Sequence, residues 1–133
     1  GDQHVVYNNI MIGNGSEGTY RNVLGSQLTT SDYNQFGTMV YIEKEGNFYS
    51  SLGSWQSSGS LANGGNPDTH SMASNPMFQN ASGGLRQLGD FRLASNSPCK
   101  GAGYNGADMG ANIDLVGIAT GGNKAPNPPS NLK

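Results

Sequence analysis

Cysteine, charge and long apolar runs are all scarce in this 133-residue chain, and each shortage excludes a class of protein. Cys99 is the only cysteine, so the chain can form no internal disulfide and has no cysteine pair for a metal site. Seven Lys and Arg residues are scattered without a basic run, and the formal net charge is −2, which argues against nucleic-acid binding. No apolar segment has the length that a membrane-spanning helix requires.

Glycine, asparagine and serine are abundant instead. The chain has 21 Gly, and only 34% of its residues are apolar. Such a composition is compatible with disorder, but disordered chains usually combine high net charge with few aromatic residues. Here Trp55 is accompanied by six Tyr and four Phe. Because turns use Gly and Asn, an all-β fold rich in turns explains the composition better.

The C-terminal third contains three short apolar pieces, at residues 75–78, 89–98 and 108–111, each cut off by Gly, Asn, Asp or Pro. This pattern predicts brief strands joined by tight turns, including a strand at residues 91–93. The order and the amino-acid sequences of the three pieces resemble the closing coils of secreted, right-handed parallel β-helix proteins of the pectate-lyase-like superfamily. The resemblance implies an all-β fold, a right-handed parallel β-helix (solenoid), of which this chain supplies the C-terminal coils.

Further features follow from the resemblance and from local patterns. A cap is expected at residues 108–118. Residues 1–122 are expected to form the coils and cap, and residues 123–133 a Pro-rich linker to a following domain. Ser50 or Ser51 can cap a helix in which Leu52 and Trp55 share one face, which predicts a helix of about two turns.

Four residues are structural candidates. Asn8 and Asn9 interrupt an apparent strand. Asparagine at such a bend either stacks on asparagine of the next coil, which forms a ladder of side-chain amides, or forms an ordinary turn. The resemblance favours the asparagine ladder. Asp90 and Asp108 match turn positions of the superfamily, so we interpret both as structural.

Candidate carbohydrate-binding residues are Tyr20, Tyr49, Trp55 and His70. Aromatic rings offer flat apolar faces that suit sugars, and Tyr20 and Tyr49 have Gly or Ser neighbours that suggest exposure. Trp55 could instead fix its helix to the coils, and His70 could be a loop histidine hydrogen-bonded to backbone. For both residues we favour this structural role over sugar binding.

No catalytic residue can be assigned. We find no acidic cluster suited to Ca²⁺ and no readable pair of opposed carboxylates, so no metal or cofactor is expected in this chain, although Ca²⁺ is possible in a longer parent. The resemblance therefore implies that the chain is the C-terminal fragment of a secreted protein that binds or degrades polysaccharide. The fragment itself would serve mainly as a scaffold. Whether the parent protein is an enzyme stays open.

Two other readings stay open: a structural subunit of an extracellular filament, adhesin or phage tail fibre, and a small free-standing lectin-like binder. The expected partners are a polysaccharide and, at an open N-terminal end, preceding coils or another copy of the chain; nucleic acid and a membrane span are not expected.

Overall fold

The computed structural model of the chain describes residues 3–13, 20–22, 27–85 and 87–116. Its regular elements are short. In chain order they are β1 (His4–Tyr7), β2 (Ile10–Met11), β3 (Tyr20–Asn22), β4 (Leu28–Asp32), β5 (Gln35–Phe36), β6 (Ile42–Lys44), β7 (Asn47–Tyr49), α1 (Leu52–Gln56) and β8 (Met72–Ala73). Four 3₁₀ helices follow β8 in the described residues: Ala81–Gly83, Leu88–Phe91, Tyr104–Gly106 and Ile113–Leu115.

The strands pair in three small sheets, with the orders β1-β4, β2-β5-β8 and β3-β6-β7. Every pair is parallel except β6 with β7, which is an antiparallel hairpin. The predicted all-β, right-handed parallel β-helix is therefore wrong. The described sheets are separate, contain two or three strands each, mix parallel with antiparallel pairing, and lie alongside several short helices.

The departure from the prediction is largest in the C-terminal third. Among the described residues after β8, pairing is limited to an isolated antiparallel bridge between Phe78 and Leu93. The strand expected at residues 91–93 does not form; residues 88–91 form a 3₁₀ helix instead, and Asp90 caps it by accepting from the backbone N–H of Gln87 at 3.0 Å. Because Gly, Asn and Pro interrupt each apolar piece, turns and single helical turns prevail over strands here.

The predicted short helix is confirmed, although it has only five residues. Ser51 is its N-cap, and the Ser51 side chain accepts a hydrogen bond from the backbone N–H of Ser54. Trp55 lies on the inner face and is fully buried with Leu28, Phe36 and Ile42, which together form the apolar core.

The C-terminal segment returns to the first strands. The backbone N–H of Gly110 donates to the carbonyl oxygen of Asn8 at 2.7 Å, and that of Tyr104 donates to Asn8 Oδ1 at 2.7 Å. The described part of the expected cap, residues 108–116, thus contacts the corner between β1 and β2 rather than the end of a coil stack. Residues 117 and 118, like the expected linker at 123–133, lie outside the described residues.

Candidate functional site

β1 and β4 present an outer face of mixed apolar and polar character. Val5 and Tyr7 of β1 are exposed, while Val6 between them is half-buried. In the parallel register Val5 lies beside Thr30, and Tyr7 lies beside Asp32. Because residues two apart on a strand share one face, these four side chains form one continuous surface.

Tyr33 follows β4 in a left-handed backbone conformation, with φ of 54°. A non-glycine residue rarely adopts this conformation, because its Cβ then crowds the backbone. Two hydrogen bonds hold Tyr33 there: its carbonyl oxygen accepts from the N–H of Asn8 at 3.0 Å, and its own N–H donates to Asp32 Oδ1 at 2.9 Å. The corner therefore places an aromatic ring at the end of the β1–β4 face.

Tyr104 approaches the same corner from the 3₁₀ helix Tyr104–Gly106. Its ring centroid lies 5.6 Å from that of Tyr33 in an edge-on arrangement and 6.0 Å from that of Tyr7. Tyr7 and Tyr104 remain 49% and 52% exposed. The three rings are therefore contiguous, and two of them offer much of their surface to solvent.

These residues line a groove of about 370 Å³ on the surface. We call it the aromatic groove and define it by Val5, Tyr7, Thr30, Asp32, Tyr33 and Tyr104. Its volume lies near the lower end of the range of small-ligand sites. Apolar surface predominates, and Thr30 and Asp32 supply a hydroxyl and a carboxylate.

His70 stands beside the groove, paired with Asp32. Its Nδ1 lies 2.7 Å from Asp32 Oδ2, and its backbone N–H donates to Asp32 Oδ1 at 2.7 Å. The imidazole stacks on the Tyr33 ring at a centroid distance of 4.8 Å and an interplanar angle of 7°. Since a carboxylate accepts, Nδ1–H is the donor, and Nε2 of the neutral ring is then left as an acceptor.

The charge of Asp32 follows from its surroundings. Partial burial by itself would raise the pKa of its carboxyl group, but hydrogen bonds from the side chain and backbone of His70 and the backbone of Tyr33 outweigh burial and hold that pKa below its usual value. Asp32 is therefore a carboxylate at neutral pH, and it is the one charged side chain among the described residues that line the groove.

The structure separates the four residues predicted from sequence to bind carbohydrate. His70 lies at the groove. Trp55 is fully buried in the core. Tyr49 is partly buried and packs edge-on against Trp55 at 5.1 Å, with its hydroxyl 3.3 Å from Ser60 Oγ. Tyr20 begins β3, and its side chain lies outside the described part of the chain.

The asparagine pair lies at the corner that joins β1 to β2. Asn8 has φ of 58°, and its Oδ1 and carbonyl oxygen are the acceptors that bind the C-terminal segment. Asn9 Nδ2 donates to Asn34 Oδ1 at 3.1 Å and to the carbonyl oxygen of Tyr7 at 2.9 Å. Asparagine side chains of adjacent, parallel-paired segments are thus hydrogen-bonded to each other and to backbone.

Both aspartates interpreted as structural make turn hydrogen bonds. Asp90 caps its 3₁₀ helix and also accepts from Asn80 Nδ2 at 2.8 Å. Asp108 accepts from the backbone N–H of Gly101 at 2.8 Å and from Lys100 Nζ at 3.0 Å. These two interactions, the backbone bond first, lower the pKa of the Asp108 carboxyl group.

The four carbohydrate-binding candidates from sequence include none of the six residues that line the groove, and Asp32, Tyr33 and Tyr104 are among those missed. A local signal existed for Asp32 and Tyr33, because they lie in the polar stretch of residues 31–34, and Asp, Asn and Ser are typical of turns. No local signal marks Tyr104, whose contact with Asn8 spans 96 positions of sequence.

Neither a metal site nor a known relative helps to define the groove. Within residues 3–13, 20–22, 27–85 and 87–116, no group of three or more His, Cys, Asp or Glu side chains could hold a metal ion. In that same part of the chain, no helix has the length and apolarity to cross a membrane. Comparisons with protein-family models, with curated proteins and with solved structures gave no significant match.

Proposed function

We propose that the aromatic groove binds polysaccharide, and that this chain acts as a carbohydrate-binding unit of an extracellular protein. One observation carries the proposal: three contiguous tyrosine rings line an open groove that also contains a hydroxyl and a carboxylate. A pyranose ring has apolar C–H faces and a hydroxyl rim. The tyrosine rings can pack against the C–H faces, and Thr30 and Asp32 can hydrogen-bond to the hydroxyl groups.

The exposure of the groove also supports binding. Isolated apolar side chains on a surface need no explanation, whereas contiguous ones usually mark an interaction site. Val5, Tyr7 and Tyr104 are each about half exposed and meet in one groove. Ordering these residues as a solvent-facing group gains little for folding, so a bound ligand is the better reason for the arrangement.

Binding is proposed rather than cleavage. Hydrolysis of a glycosidic bond generally needs two carboxyl groups on opposite sides of the bond. Among the described residues that line the groove, Asp32 is the one carboxylate, and it is already engaged by His70. The groove therefore has the surface for holding a sugar chain and lacks the paired acids for hydrolysing it.

The test is titration calorimetry of the purified chain against oligosaccharides from neutral and acidic polysaccharides. Replacing Tyr104 by Ala removes a half-exposed ring, and we expect about a fivefold to tenfold loss of affinity, since a stacked aromatic contact contributes about 1–1.5 kcal/mol. The matched control is Phe48→Ala, which removes an aromatic ring that is 59% exposed on β7, outside the groove. Absence of binding by any oligosaccharide, or equal effects of the two substitutions, would refute the proposal.

A further inference from the structure

Resting on that proposed function, we infer that the aromatic groove selects uncharged sugar chains and rejects chains of uronic acids. The inference comes from the charges that face the groove. Asp32 contributes a carboxylate, and the other lining residues, Val5, Tyr7, Thr30, Tyr33 and Tyr104, are uncharged. A uronate residue would bring a second carboxylate to this surface.

No Lys or Arg is among the described residues that line the groove, so none is there to receive that second carboxylate. Proteins recognise carboxylates mainly through Arg, Lys or a metal ion. Lys100 Nζ is held by Asp108 at 3.0 Å and Arg92 Nη2 by Asp114 at 2.6 Å, and both pairs line a different cavity. His70 is not among the residues that line the groove, and its Nδ1 is held by Asp32 at 2.7 Å.

A neutral sugar has complementary partners at the same place. Hydroxyl groups can donate to the Asp32 carboxylate and to the Thr30 oxygen, while the C–H face of the ring rests on the tyrosines. A uronate loses this match through repulsion between like charges. At a separation of about 6 Å in a solvated groove, the repulsion corresponds to about a fivefold to tenfold weaker affinity for each uronate that contacts the site.

The experiment compares matched pairs of oligosaccharides that share sugar and linkage and differ only at C6, which is a hydroxymethyl group in one and a carboxylate in the other. Dissociation constants are measured by calorimetry at pH 7 and low salt. We expect the neutral member of a bound pair to bind at least fivefold more tightly than the uronate member. The ratio of the two dissociation constants should shrink as salt is added, because salt screens the repulsion.

Two variants assign the selectivity to Asp32. Asp32→Asn keeps a side-chain oxygen for the backbone N–H groups and can donate to His70, and we expect it to reduce the ratio to below twofold. Asp114→Asn changes the net charge equally from outside the groove and should leave the ratio as it is. Equal or tighter binding of the uronate member, or equal effects of the two variants, would overturn the inference and leave polysaccharide binding standing. Absence of binding by both members of every pair would overturn both.

Discussion

Asp68 offers the sharpest test of how this fold is held together. It is fully buried, and its carboxyl group accepts four side-chain hydrogen bonds. Oδ2 accepts from Trp55 Nε1 at 2.7 Å and Ser31 Oγ at 2.6 Å. Oδ1 accepts from Asn34 Nδ2 at 2.8 Å and Ser71 Oγ at 2.6 Å. One side chain thereby connects α1 with β4, the turn between β4 and β5, and the loop before β8.

The substitution Asp68→Asn preserves shape but replaces one acceptor oxygen by an NH₂ group. The serine hydroxyls can rotate to accept, but the N–H groups of Trp55 and Asn34 can only donate. One of these two must then face the new NH₂ without an acceptor. Turning the Asn34 amide over gives no relief, because Asn34 Oδ1 already accepts from Asn9.

We expect Asp68→Asn to lower the free energy of unfolding by about 3 kcal/mol. An unsatisfied buried donor costs about 1–3 kcal/mol, and the hydrogen bonds that remain are weakened because the acceptor is no longer a carboxylate. This loss is a large fraction of the stability of an ordinary domain. It corresponds to a decrease in Tm of about 10 °C for a chain of this size.

The assay is urea unfolding followed by fluorescence of Trp55, the single tryptophan, which lies inside the network. Asp114→Asn is the control, because the Asp114 side chain is 71% exposed and pairs with Arg92 at the surface, where such pairs contribute about 0–1 kcal/mol. If Asp68→Asn costs no more than this control, the network is not what holds these elements together.

A double-mutant cycle isolates the contact between Asp68 and Trp55. Trp55→Phe retains a large ring and removes only the N–H donor and part of the indole. If the two groups interact as described, Trp55→Phe destabilises the unsubstituted chain by at least about 1 kcal/mol more than it destabilises the chain that already carries Asp68→Asn. Additive effects of the two substitutions would contradict the hydrogen-bond geometry.

Two further predictions concern the groove and the core. Tyr33→Asn relieves about 1–2 kcal/mol of backbone strain at this corner but also removes the ring contacts with His70 and Tyr104. Because these effects oppose each other, we expect the free energy of unfolding in urea to change by less than about 1 kcal/mol while sugar affinity falls about fivefold to tenfold. A large loss of stability, or unchanged affinity, would contradict this. Cys99 is buried, and burial raises the pKa of its thiol. In the folded chain we therefore expect Cys99 to react with a disulfide reagent at pH 8 at least a hundredfold more slowly than in urea, and comparable rates would show that the thiol is exposed.

Local structure was predictable where a chemical signal lies within a few residues. Ser51, Leu52 and Trp55 stand at the positions of an N-cap and one helical face, and α1 forms there. The fold was not predictable to the same degree, because β2, β5 and β8 contain two residues each, too few for any alternation of apolar and polar side chains to be recognised. Which short apolar pieces become strands is then decided by their tertiary partners.

The site shows the same division between local and distant causes. His70 could be singled out as a histidine in a polar loop, but its partner Asp32 lies 38 positions earlier in the sequence. Tyr104 reaches the groove only because Asn8 binds the backbone of the returning segment. Contacts over such distances leave no periodic trace in a single sequence, so the groove emerges only from the folded chain.

The corner that joins these distant pieces also carries the clearest physical indication of function. Asn8 and Tyr33 occupy corresponding positions after the parallel-paired strands β1 and β4, and both are left-handed, with φ of 58° and 54°. Asparagine adopts this conformation readily, whereas for tyrosine it costs about 1–2 kcal/mol. Folding alone would therefore favour Asn or Gly at position 33. A tyrosine there, stacked on His70 and in edge contact with Tyr104, is best explained by a requirement for its ring at the groove.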